Sequence, residues 1–136
     1  MAETTGSIVF PHFKTEEVEV AKRFLASGRL TGKWSFWIVL DTPASLAVRD
    51  RGAGEEEVWM WQLQADAICE TDSDIWIVEF KERVRPSGIG QLLTYRYFYR
   101  KIYKPSKPVK MVMVATIDDE AIREVCQEIG IKVELV

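Results

Sequence analysis

The stretch from Asp66 to Gln91 constrains the fold more than any other part of the chain. It reads Asp66-Ala67-Ile68, a polar turn at Thr71-Asp72-Ser73-Asp74, an apolar run Ile75-Trp76-Ile77-Val78-Glu79-Phe80-Lys81, and then Pro86-Ser87-Gly88-Ile89-Gly90-Gln91. A polar turn between two apolar runs predicts an antiparallel pair of strands, here Val58 to Ile68 and Ile75 to Lys81. The proline, serine and glycine that follow predict a helix start, with Ser87 as cap, and the helix continues to about Tyr103, where Pro105 and Pro108 end it. Side chains alternate faces along a strand, so Glu79 and Lys81 share one face while Trp76, Val78 and Phe80 take the other. A carboxylate and an ammonium at the end of an otherwise apolar strand carry a solvation cost that calls for a chemical reason.

The remaining elements follow from periodicity and punctuation. A first helix is expected from Thr15 to Ser27, with Thr15 as cap and Gly28 just past its end. Trp34 to Leu40 reads as a strand. Asp41 to Glu57 contains Pro43, Gly52, Gly54 and three successive glutamates, which predicts a long exposed connection or hairpin tip. Val109 to Thr116 is continuously apolar, the pattern of a buried parallel strand. Asp118 to Glu128 reads as a capped helix stopped by Gly130, and Ile131 to Val136 as a last strand. The expected order is helix, three strands, helix, strand, helix, strand, an α/β fold.

A chain of 136 residues is expected to form a single domain over residues 1–136, with residues 1–10 a flexible end. Hydrophobic residues at 47% and charged residues at 29% exclude a disordered chain. No apolar run approaches the roughly 20 residues that cross a bilayer, and no secretory signal is visible, so no membrane partner is expected. Cys69 and Cys126 stand at no motif spacing and read as reduced, buried thiols of a cytoplasmic protein. His12, the single histidine, has no set of partners for a zinc site.

The net charge of −3 is unevenly spread. Lys81, Arg83, Arg85, Arg96, Arg100, Lys101, Lys104, Lys107 and Lys110 fall in one segment whose only acid is Glu82. Such a segment is either a solvated helix face or a surface that binds phosphates in a salt-dependent way.

Four further positions draw attention. At 100° per residue, Glu17 falls near the middle of the apolar face formed by Phe13, Val18, Val20, Ala21, Phe24 and Leu25. It either meets a cation or a metal-bound water there, or reaches solvent from a first turn that favours acids. Asp66 closes an apolar strand. Gln91 and Tyr95 share a helix face four residues apart. Gly88 and Gly90 in a helix's first turn cost about 0.5–1 kcal/mol each, which suits a close backbone approach to a group such as a phosphate. Trp59 and Trp61 would share one strand face, as part of a tryptophan-rich core or of a homodimer interface.

Taken in order, Glu17, Asp66, Glu79-Phe80-Lys81 and Gln91-Leu92-Leu93-Thr94-Tyr95 resemble the PD-(D/E)XK nuclease superfamily. The resemblance runs from the first helix through the Val109 strand. The spacing from Glu17 to Gly28 is similar to that of archaeal Holliday-junction resolvases, and Ala65 stands where the family name has proline. The resemblance implies a restriction-endonuclease-like core, with a mixed central sheet flanked by helices in the order αβββαβ followed by an extra αβ. It implies a metal-dependent endodeoxyribonuclease in which Asp66 and Glu79 bind Mg²⁺, aided by the Phe80 backbone carbonyl, with Mn²⁺ able to substitute. Lys81 would assist the attacking water, Gln91 would hold Lys81 or a phosphate, and Glu17 would add a water-mediated contact. Arg83, Arg85, Arg96, Arg100 and Lys104 would contact the DNA backbone. The alternative is a nuclease-fold protein that binds nucleic acid or a protein partner without cutting.

Overall fold

The computed structural model describes residues 13–136, so the expected flexible end at residues 1–10 and His12 lie outside the described residues. The chain order is α1 (Thr15–Ser27), β1 (Lys33–Leu40), α2 (Pro43–Asp50), α3 (Glu55–Trp61), β2 (Leu63–Glu70), β3 (Ile75–Phe80), α4 (Pro86–Tyr103), β4 (Val109–Ala115), α5 (Glu120–Glu128) and β5 (Ile131–Leu135). The strands form one open sheet in the order β1-β2-β3-β4-β5. β1, β2 and β3 are mutually antiparallel, whereas β3, β4 and β5 run parallel. The fold is therefore α/β, a five-stranded mixed sheet flanked by helices.

Period-two alternation divides the core into two layers. Ile75, Ile77, Met111 and Met113 face Leu92 and Tyr95 of α4 and Cys126 of α5. Val78, Phe80, Val112 and Val114 face Val20, Ala21 and Phe24 of α1. β4 is covered on both sides, which is why its sequence is apolar almost throughout. Phe80 is fully buried, so Phe80→Ala would cost about 3–5 kcal/mol and loosen α1. α1 ends where Gly28 turns left-handed at φ 68° and its N–H reaches the Leu25 carbonyl at 3.3 Å.

Between β1 and β2 the structure corrects the sequence reading. Asp41 to Glu57 is no extended connection but holds α2 and the first turn of α3. Thr42 caps α2, accepting from the Ser45 N–H at 3.1 Å while its own N–H donates to the Ser45 hydroxyl at 2.8 Å. Pro43 occupies the first helical turn, where its fixed φ is pre-organised and its missing N–H is no loss. Glu55, Glu56 and Glu57 fill the first turn of α3, where the helix dipole favours carboxylates. Residues read as breakers were helix-start signals. Val58 to Trp61 is accordingly helical rather than the start of a strand, so Trp59 and Trp61 share no strand face and each is half-exposed.

Smaller corrections concern the ends. Lys14 rather than Thr15 is the cap residue of α1, and Arg85 rather than Ser87 that of α4, with Pro86 opening the helix. Asp119 caps α5 by accepting from the Ile122 N–H at 3.2 Å, while Asp118 pairs with Arg123 at 3.0 Å. Cys69 and Cys126 are free and buried, and burial pushes the Cys69 thiol up to about 11. Among the described residues no helix is long and apolar enough to cross a membrane.

Candidate active site

The β2–β3 ladder runs from Glu70 opposite Ile75 to Ala67 opposite Val78, and stops there. One step further, Asp66 and Glu79 come opposite each other. The Phe80 N–H donates not to a strand carbonyl but to Asp66 Oδ2, at 2.8 Å. A side chain thus takes over a backbone acceptor's role, and the two strands part around a pair of carboxylates. Asp66 lies within β2 rather than at its end. Only 8% of Asp66 and 5% of Glu79 is exposed.

Lys81 follows directly after β3. Its N–H donates to the Val114 carbonyl at 2.9 Å, and the Glu82 carbonyl accepts from the N–H groups of Thr116 and Ile117 at 3.1 and 3.0 Å. These bonds extend the parallel pairing past the end of the strand and fix where the lysine stem begins. The ammonium sits 3.7 Å from Glu79 Oε2, an ion pair longer than a hydrogen bond.

Burial dominates the electrostatics. It raises the Asp66 carboxyl to about 6, with the Glu17 charge adding to the rise and the Phe80 N–H and Lys81 opposing it. Glu79 is pushed well above the usual carboxylate range, first by burial and then by the charge of Asp66. The interaction between the two carboxyls lowers Asp66 and raises Glu79. One ammonium does not balance the charges of Asp66 and Glu79 with Glu17 added, an imbalance that favours a proton or a cation at the pair.

Glu17 is half-buried on α1, and its charge is felt by both Asp66 and Glu79. Helix α1 thus brings its charge to the open end of the hairpin. Glu19, on the opposite side of α1, is spent on Arg23 at 3.2 Å. Across the sheet, Trp37 of β1 adopts φ 54° between the register pairs Phe36–Ala67 and Ile38–Ala65, which puts a strained residue opposite Asp66. A side chain held there costs on the order of 1–3 kcal/mol.

The start of α4 closes on this cluster through Gly88. A Cβ at Gly88 would stand 2.7 Å from Met113 Cε and 3.6 Å from Lys81 Cγ, so a bare backbone lets the helix sit against both. Gly90 has no such neighbour, since a Cβ there would meet nothing within 4 Å. Gln91 is exposed and, among the described residues, makes no hydrogen bond to Lys81. It lines a groove with Leu63, Gln64, Ser87, Gly90, Thr94 and Tyr95. Gln64 was not singled out from the sequence, although it lies two residues before Asp66 on the same strand face, about 7 Å away. Tyr95 is buried, its hydroxyl has no hydrogen-bond partner among the described residues, and burial pushes its phenol upward.

The five basic candidates separate in space. Arg83 and Arg85 are exposed immediately beyond Lys81. Arg96 donates from Nε to the Val109 carbonyl at 3.1 Å, tying α4 to the start of β4. Arg100 and Lys104 lie further along the helix and are exposed. At 1.5 Å per residue, Arg100 stands about 22 Å from Arg85. Only the first two lie within four residues of Lys81 in the chain. Comparisons with protein-family models, with curated proteins and with solved structures find no match for this chain.

Proposed function

We propose that this chain is a metal-dependent endodeoxyribonuclease with a restriction-endonuclease-like core. One observation carries the reading: two buried carboxylates, Asp66 and Glu79, meet where an antiparallel ladder opens, with the Lys81 ammonium 3.7 Å from one of them. Among the described residues no group of three or more acid, cysteine or histidine ligands converges. A cation held here would rest on Asp66 and Glu79, with the Phe80 carbonyl adjacent, and complete its shell with water. That sparse set suits Mg²⁺, which keeps several waters and takes one or two carboxylates, and Mn²⁺ after it. The raised carboxyls fit as well, because a dication relieves the repulsion that otherwise retains a proton. When bound, the ion would supply Lewis-acid polarisation of the scissile phosphate.

The chain's own residues divide the remaining work. Asp66 and Glu79 would hold the cation as carboxylates. Lys81 places an ammonium beside the reacting phosphate, orienting the attacking water and stabilising the charge that develops on the phosphoryl oxygens. Glu17 adds negative charge behind the pair and strengthens its hold on a cation. Arg83 and Arg85 contact the DNA backbone near the cut, and Arg100 and Lys104 do so some 20 Å away along α4. The test is cleavage of duplex, single-stranded, flapped and four-way DNA with Mg²⁺ or Mn²⁺. Cleavage abolished by EDTA and by Lys81→Ala, in a variant that melts like the parent, is the expected result. Undiminished cleavage by Lys81→Ala overturns the assignment.

A further inference from the structure

The groove that Gln64 lines, two residues before Asp66 on β2, has an unusual lining for a protein that handles a polyanion. It measures about 390 Å³ and runs between the start of β2 and the first turns of α4. Its walls are Leu63, Gln64, Ser87, Gly90, Gln91, Thr94 and Tyr95, with no charged side chain among them. A phosphate would find no cation there. Amides and hydroxyls beside an apolar wall instead suit a flat, uncharged ring with donors and acceptors on its edge, as glutamine reads a base. The volume falls within the roughly 300–1,000 Å³ of small-ligand sites, room enough for a nucleoside.

Two independent features point the same way. Gly90 carries no side chain although the protein around it leaves open space, so the helix gives up stability at a point where the groove gains width. Gln64 also donates to the Trp59 carbonyl at 3.4 Å, joining the groove to α3. On that helix Trp59 and Trp61 are each 50% exposed and Met60 72%. Glu55, Glu56 and Glu57 open the same helix and repel phosphates, so whatever reaches these indoles must offer an uncharged face. Stacked bases do so.

Resting on the endonuclease reading, we propose that the groove receives an unpaired nucleobase next to the scissile phosphate, with Trp59 and Trp61 as stacking platforms at its side. The substrate class is then DNA with single-stranded character at the cut, such as a single strand, a flap or a branch. A blunt duplex, whose bases are stacked and paired, fills neither groove nor platform.

The test is fluorescence anisotropy of the full chain in EDTA with one labelled oligonucleotide, offered as a single strand and as a blunt duplex of equal length. Base–aromatic stacking predicts about ten-fold tighter binding of the single strand. Gly90→Leu projects into the open groove and should bring that ratio close to one, and Trp59→Ala should lower single-strand affinity several-fold. Should Gly90→Leu melt early, Gln64→Ala at the groove wall serves the same purpose. Equal affinity for both forms, or a ratio that none of these variants changes, overturns the proposal. So does a dimer, seen by sedimentation, that Trp59→Ala dissolves in a protein without strand preference, because a second copy then covers the indoles. Cleavage of blunt duplex as fast as single strand sinks the base groove and leaves the nuclease standing. Single-strand preference without cleavage in Mg²⁺ or Mn²⁺ sinks the nuclease and leaves the groove.

Discussion

The two ends of the β2–β3 hairpin carry the same kinds of residue in opposite electrical states. At the turn end, Lys107 meets Glu70 at 2.8 Å and Lys110 meets Asp74 at 3.3 Å. Those pairs are solvated, one lysine to one acid, and Lys107 holds the Glu70 carboxyl below its ordinary value. At the open end, Lys81 stands 3.7 Å from Glu79, both nearly buried, and Glu79 also feels the charges of Asp66 and Glu17. There the carboxyls are pushed up instead. Ion pairing alone is therefore no mark of function. Burial combined with an excess of one sign is what sets the open end apart, because such a cluster favours a proton or a cation.

The largest effect that could break this contrast is on cleavage. Lys81→Ala and Glu79→Gln should each lower Mg²⁺-dependent cleavage by on the order of 10²–10³-fold, as loss of one electrostatic stabiliser does elsewhere. Lys107→Ala, at the other end, should leave it within two-fold of the parent, about the scatter of a surface change. Matched losses at both ends would show that the pairs are equivalent after all.

The next effect is on stability, and its sign differs between the ends. A carboxyl raised in the folded state binds a proton more tightly there than in the unfolded chain. Stability from that group is complete below its unfolded value and is lost as pH rises through about 6 for Asp66. Asp66→Asn keeps an oxygen acceptor for the Phe80 N–H and removes the charge. It should stabilise the metal-free protein at pH 8 by on the order of 2 kcal/mol and have little effect at pH 4, as read by denaturant titration. Glu70, lowered by its lysine, behaves inversely: Glu70→Gln should weaken the fold slightly above the ordinary carboxylate range and not below it.

Metal should sharpen the contrast further. Mg²⁺ at a hundred-fold over its dissociation constant should raise the unfolding free energy by about 2.7 kcal/mol. That gain should appear at pH 8, fade as pH falls through about 6, and vanish in Asp66→Asn. Equal stabilisation of Asp66→Asn would place the ion elsewhere. The smallest effect is that of salt. Molar NaCl should erase the difference between parent and Glu70→Gln, whose pair is exposed, while leaving most of the difference made by Asp66→Asn, whose carboxyl is buried and weakly screened.

How much of this was legible beforehand depends on the range of the interaction involved. α1 and the strand Ile75–Phe80 follow from local periodicity and were readable to within a residue. The helices α2 and α3 were not, because proline, glycine and glutamate punctuate helix starts as well as loops, and the choice rests on whether Thr42 and Ser45 close a capping box. Trp59 and Trp61 changed from strand to helix for the same reason. Among site residues, the shared face of Glu79 and Lys81 is a property of one strand and was visible. Gln64 was overlooked, since glutamine at the start of a strand has no distinction until a helix settles beside it.

The sequence by itself determined the two-faced strands, the amphipathic α1, the glycine-flanked start of α4 and the acid–lysine spacing after Val78. These depend on backbone geometry that repeats within a few residues. Only the tertiary structure decided that Asp66 faces Glu79, that Glu17 adds its charge to both, and that Arg96 is taken up in packing while Arg83 and Arg85 remain free of it. Register, burial and the field inside a nearly dry cluster depend on residues far apart in the chain, and no local pattern contains them.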